Sequence, residues 1–117
     1  MSYIQGFVIA VPTASREAFR AYAAAAGQVF KELGALSVVE CWGEDVPDGE
    51  VTSFRMAVKA QPDETVVFAW AVWPSKAVHD EAMARTTADP RFDRRTNPIP
   101  FDGKRMIYGG FVPIVEE

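Results

Sequence analysis

The sequence predicts an α+β domain of βαββαβ order, with four antiparallel strands and two helices packed on one face. Three observations lead there. A strand–helix–strand pattern occurs twice, the two helices are of similar length, and the third strand is apolar on both of its sides. At 117 residues the chain has room for one domain, spanning 1–117. Hydrophobic residues make up 49% and charged residues 24%, a balance that predicts a folded domain rather than a disordered tail.

Tyr3 to Val11 is rich in aromatic and β-branched residues and ends at Pro12, which predicts the first strand. Ser15 is placed to cap a helix whose apolar residues Phe19, Tyr22, Ala23, Ala26, Phe30 and Leu33 recur on the 3.6-residue period. Arg16, Arg20, Gln28, Lys31 and Glu32 occupy its other face, and Gly34 supplies the left-handed stop. Leu36 to Trp42 predicts the second strand. An acidic loop over 43–50 follows, turning at Pro47-Asp48-Gly49. Phe54 to Ala60 fits either a short strand or a helical turn, because seven residues do not fix a period.

Thr65 to Trp73 is the strongest strand pattern in the chain. Val66, Phe68, Trp70 and Val72 share one side, and Val67, Ala69, Ala71 and Trp73 the other. Pro74 ends it, Ser75 is the expected N-cap, and a second helix runs to about Thr87, before Asp89-Pro90. Lys104 to Ile114 predicts the last strand, with Gly109-Gly110 marking a bulge or a close backbone approach. The order matches the ferredoxin-like arrangement.

A strand apolar on both sides needs a covering layer on each face of the sheet, and two helices supply only one. The expected second layer is another copy of the same sheet, which predicts a two-fold homodimer with sheets packed face to face or joined into a barrel. The alternative is that 85–105, about 18 residues with no clear element, folds back over the open face. That stretch carries Arg85, Arg91, Arg94, Arg95, Lys104 and Arg105, whereas Glu40, Glu44, Asp45, Asp48 and Glu50 crowd one acidic window. The two segments are complementary and could meet within a protomer or across a two-fold.

Several functions are excluded as expectations. Twelve basic against sixteen acidic side chains give a net charge of −4, which disfavours a nucleic-acid partner. The aromatic string Tyr108-Gly109-Gly110-Phe111 echoes an RNA-binding strand, but its spacing is altered. One cysteine and one histidine cannot make a zinc site, so no metal and no cofactor is expected. Cys41 reads as a small core side chain, and a reducing cytoplasm is expected. No export signal or run of about 18 apolar residues is visible, so no membrane partner is expected.

Candidate chemistry centres on Glu40, which alternation aligns with Leu36, Val38 and Trp42. In a dimer cavity its pKa would rise and suit proton transfer; at a sheet edge it would reach solvent or pair with Arg55 or Arg105. His79 shares a helical stripe with Ala82, Met83 and Thr86, and reads as a half-buried structural imidazole more readily than as a base. Trp42, Trp70, Trp73, Tyr108 and Phe111 are candidates for an aromatic pocket, or for core.

The strings Gly6-Phe7-Val8, Val39-Glu40-Cys41, Pro47-Asp48-Gly49 with Thr52-Ser53-Phe54, Trp73-Pro74-Ser75 and Ala88-Asp89-Pro90-Arg91 resemble the YbaA-like proteins, domain-of-unknown-function family 1428. The block from Pro100 to Phe111 carries the same resemblance, so nearly the whole chain is covered. The resemblance implies the dimeric α+β barrel superfamily, which includes cofactor-free monooxygenases, muconolactone-isomerase-like enzymes and haem-binding members. It marks Glu40, Ser53, Asp102 and Arg105 as matched positions, while His79 stands where similar sequences often have arginine. The expectation is a small organic molecule bound beside the sheet, with Glu40 handling a proton and Arg105 an anion. Trp42, Ser53, Trp70, His79, Asp102 and Tyr108 are the expected binding residues. The competing expectation is a non-enzymatic dimeric module with no cavity.

Overall fold

In a computed structural model describing residues 2–117, the chain runs β1 (Tyr3–Pro12), α1 (Arg16–Glu32), β2 (Ser37–Trp42), a single turn α2 (Phe54–Ala57), β3 (Glu64–Trp73), α3 (Lys76–Ala88) and β4 (Ile107–Phe111). The strands form one antiparallel sheet of order β2-β3-β1-β4. This is the ferredoxin-like arrangement the strand–helix order predicts.

Register decides which side of each strand meets the helices. Phe7 pairs with Ala69 and Ile9 with Val67, and these residues form a core with Phe19 and Ala23 of α1. Further along, Ala71 and Trp73 pack with Ala82 of α3. The small residues Ala69 and Ala71 let the helices approach the sheet, and both are fully buried. On the opposite side Ile4, Trp70 and Val72 have no long helix above them; the single turn α2 and the residues after it reach only one end of this face, where Phe54 meets Phe68 edge-on at 5.9 Å and Val8 packs against the Val58 cluster, and Phe68 is still 45% exposed.

The helix ends follow local chemistry. Gly34, at φ +116°, closes α1 in a Schellman pattern in which Ala35 N–H donates to the Phe30 carbonyl (3.0 Å) and Gly34 N–H to that of Lys31 (3.2 Å). The Ser75 hydroxyl accepts from Val78 N–H at 3.2 Å and caps α3. Ser15 differs from expectation: residues Thr13–Ser15 form a 3-10 turn, and the Ser15 side chain makes no capping bond. The ambiguous stretch after Ser53 is helical, because the Ser53 hydroxyl accepts from Met56 N–H at 3.0 Å.

The last strand is shorter than Lys104–Ile114. Asp102 turns the chain just before it by accepting from Lys104 N–H at 3.0 Å, and Pro113 has no donor with which to extend it. The Gly109-Gly110 expectation has a physical basis, since a Cβ on Gly110 would land on the Tyr3 ring.

Residues 85–105 do not cover the open face. They lie on the helical side, where Phe92 stacks on Phe30 (6.3 Å) and Phe101 meets Phe19 and Tyr22 edge-on (5.8 Å each). Among the described residues Arg85, Arg91, Arg95 and Arg105 pair locally or with Glu32 and Glu64, and none of the six bases pairs with the acidic window. All described peptide bonds are trans, those before Pro98 and Pro100 included.

Candidate functional site

The helix layer is incomplete over β2. Along the edge of α1 that faces β2, Ala23, Ala24 and Gly27 are too small to reach the strand, and a cleft of about 530 Å³ opens between them and Val38, Glu40 and Trp42. Gly27 approaches Val38 closely enough that even a Cβ would stand 3.4 Å from its Cγ1. Phe19 and Val67 form the apolar floor, while Arg16, Arg20 and Lys31 reach the rim.

Glu40 is the only carboxylate lining this cleft. Its partner in the sheet is Ala69, so it projects to the helix side rather than toward the open sheet face where a dimer cavity was expected. By surface area it is exposed, at the mouth of the cleft between α1 and the sheet. Loss of hydration there pushes its carboxyl up to about 7. Among the described residues it has no hydrogen bond or ion pair with any side chain. Tyr22, raised first by its own burial, also feels the Glu40 charge. Trp42 stands two residues along the same side of β2, with the Arg16 guanidinium 5.7 Å from its ring centroid.

Arg105 does not line the cleft. Its guanidinium makes a two-pronged contact with Glu64 (2.7 Å for each oxygen), donates from Nε to Asp102 (3.0 Å) and holds the Lys59 carbonyl (2.8 Å). Lys59 itself has φ +51°. Arg105 thus fastens the 99–106 segment to the start of β3, and its hydrogen bonds hold the Glu64 carboxyl below the usual carboxylate range. Asp102 belongs to the same cluster, and Ser53 is engaged as the α2 cap. Arg55 also lies there, donating to the Glu64 and Gln61 carbonyls (3.0 and 2.8 Å).

The aromatic candidates separate onto two faces. Trp42 lines the cleft. Trp70 lines a groove of about 640 Å³ on the open sheet face, with Phe68, Phe111 and Ile4, whereas Tyr108 pairs with Phe7 and so points to the helix side of the exposed edge strand β4. That groove offers almost no convergent polar side chains. His79 is remote from both: it packs against Tyr3 (5.1 Å) and Trp73 (5.7 Å), with Nδ1 2.9 Å from Asp80.

Sequence reasoning missed the cations of the cleft, because Arg16, Arg20 and Lys31 were grouped with the solvent-facing side of α1. Their signal was present: at i, i+4 and i+15 they share an edge with Ala24 and Gly27, small residues that leave space beneath. Among the described residues no cluster of three or more His, Cys, Asp or Glu is placed to hold a metal ion, and no helix is long and apolar enough to cross a membrane.

A family model described as a protein of unknown function, DUF1428, matches residues 2–103. The uncharacterized protein YbaA of Escherichia coli K12 is 56% identical over 117 residues, covering all of both chains, and the same figures hold for YbaA of Shigella flexneri. Among solved structures, a variant of SnoaB, a cofactor-independent oxygenase from Streptomyces nogalater, superimposes with a TM-score of 0.60 at 18% identity, covering 98% of this chain and 95% of that one. Rv0793 from Mycobacterium tuberculosis gives 0.55 at 16% identity, covering 99% and 98%. These two establish a shared α+β barrel fold.

Proposed function

The chain belongs to the DUF1428 family, and we propose that it is a cytoplasmic homodimer that binds a small organic molecule in the α1–β2 cleft and moves a proton on it through Glu40. The reaction class is that of a cofactor-free isomerase or oxygenase. Ionised Glu40 takes a proton from a carbon next to a carbonyl. The electron pair left behind is either reprotonated at a second carbon, which is isomerisation, or forms a C–O bond to dissolved O2, which keeps both oxygen atoms and becomes a hydroperoxide when Glu40 returns its proton, which is oxygenation. A carboxyl whose two forms are both populated near neutrality suits either proton transfer.

The observation that carries this reading is the placement of Glu40: a carboxylate with no side-chain partner among the described residues, at the mouth of a cleft with an apolar floor and a basic rim. The likeness to a cofactor-independent oxygenase supports it at the level of fold. A purely structural dimer would need no hollow beside Glu40. The dimer rests on the open face, where Phe68 and Phe111, 45% and 60% exposed, join Trp70 in an apolar groove.

Native mass spectrometry of freshly purified protein is expected to show a dimer carrying a small-molecule adduct. With that molecule as substrate, Glu40→Gln should lower turnover by about 10²- to 10⁴-fold while the dimer persists. Undiminished turnover removes Glu40 from the proposal. Trp70→Asp should give monomers in light scattering; a wild-type protein that is monomeric at micromolar concentration ends the dimer reading.

A further inference from the structure

The cleft carries a charge pattern opposite to that of the chain. The protein has a net charge of −4, but the cleft presents Arg16, Arg20 and Lys31 against the single carboxylate Glu40. Arg20 is engaged by Glu17 at 2.8 Å. Among the described residues neither Arg16 nor Lys31 has a carboxylate within ion-pair distance. Of these two, Arg16 is the one with a neighbour: exposed at the rim, it puts its guanidinium carbon over the Trp42 ring, 5.7 Å from the centroid, in cation–π range. A planar guanidinium fork takes a carboxylate with two parallel hydrogen bonds. Lys31 sits about 22 Å further along the helix, by 15 residues at 1.5 Å each, and is too distant to share a small ligand with Arg16.

Arg16 and Glu40 line the same cleft, and Trp42, which carries the Arg16 contact, stands two residues from Glu40 on one side of β2. We propose that Arg16, beside Trp42, is the anion receptor of the cleft, and that the ligand is a small organic carboxylate. The inference rests on the cleft being the ligand site. It replaces Arg105, whose guanidinium is engaged by Glu64 and Asp102, as the group that meets the ligand's charge.

The test compares 2-naphthoate with its uncharged amide, 2-naphthamide, titrated into the full-length protein with tryptophan fluorescence as readout. The carboxylate is expected to bind about tenfold more tightly, in keeping with a charge-assisted pair. Arg16→Gln should bring its affinity down to that of the amide, and Arg16→Lys should recover only part, because an ammonium lacks the planar fork. Arg95→Gln removes the same charge from a side chain that is 90% exposed and paired with Asp93, and should leave affinity unchanged. Equal binding of acid and amide overturns the proposal. So does an equal loss in the Arg16 and Arg95 variants, which would reveal only bulk charge. Urea midpoints within error of wild type confirm that Arg16→Gln is folded. The outcomes separate this inference from the reading beneath it: acid selectivity lost with Arg16 stands even if Glu40→Gln leaves turnover intact, and a co-purified neutral ligand defeats the anion receptor while leaving the proton-transfer reading in place.

Discussion

Gln5 from β1 and Glu40 from β2 both project from the sheet toward the helices, and the protein treats them in opposite ways. Gln5 is 5% exposed. It accepts from Trp73 Nε1 at 3.1 Å and donates to the Met83 sulfur at 3.4 Å, so its polar ends are engaged beneath α3. Glu40 faces the small residues of α1 and has no partner. One half of the helix layer is sealed and internally satisfied, as stability demands of buried polar groups. The other half leaves a hydration penalty standing on an ionisable group. Unrelieved cost of that kind marks where a ligand can supply what the chain does not.

The sealed half should therefore respond far more strongly to truncation. Trp73→Ala removes a fully buried ring and is expected to destabilise by about 3–5 kcal/mol, read from urea unfolding at fixed protein concentration. Trp42→Ala, at the open cleft, should cost much less, and equal costs would break the contrast. Gln5→Ala leaves the Trp73 N–H without an acceptor and should cost about 1–3 kcal/mol.

The helix starts repeat the difference on a smaller scale. Ser75 bonds Val78 N–H, whereas Ser15, at the cleft end of α1, makes no capping bond. Ser75→Ala is expected to cost about 1 kcal/mol, and Ser15→Ala to stay within about 0.5 kcal/mol. A comparable loss at both serines would show that α1 is capped in solution as firmly as α3.

Much of this architecture is legible in the residues. The two-sided β3, the Gly34 stop and the Ser75 cap are local signals, and each has its structural counterpart. The identity of the side facing the helices was not local: Val66, Phe68, Trp70 and Val72 are as apolar as the side that is buried, and only pairing with β1 and the seat of α1 decides between them. Glu40 was visible as a carboxylate in an apolar strand. That its cleft would hold Arg16 rather than Arg105 was not, because Arg105 is captured by Glu64, a residue 41 positions away whose carboxylate lies at a strand end. The Gln5–Trp73 bond spans 68 residues and leaves no trace in periodicity.

The smallest effect tests the contrast at its centre. The Glu40 carboxyl is raised from 4.5 to about 7 by burial, so between those values the folded protein binds more protons than the unfolded chain. Its contribution to stability is fully present below about 4.5, falls as pH rises and is lost above about 7. Glu64 works in the other direction: its lowered value gives stability that is present above the ordinary carboxylate range and lost in acid. Wild-type stability mixes the two, but the difference between wild type and Glu40→Gln isolates Glu40. The variant is expected to match wild type near pH 4.5 and to exceed it at pH 8. The margin should be under about 1 kcal/mol, because solvent in the cleft screens much of the penalty. Urea titrations of both proteins at pH 4.5, 6, 7 and 8, at one protomer concentration, measure that difference directly. A difference that stays flat across the series would mean that Glu40 is as well hydrated as any surface carboxylate, and the two halves of the helix layer would then differ only in packing.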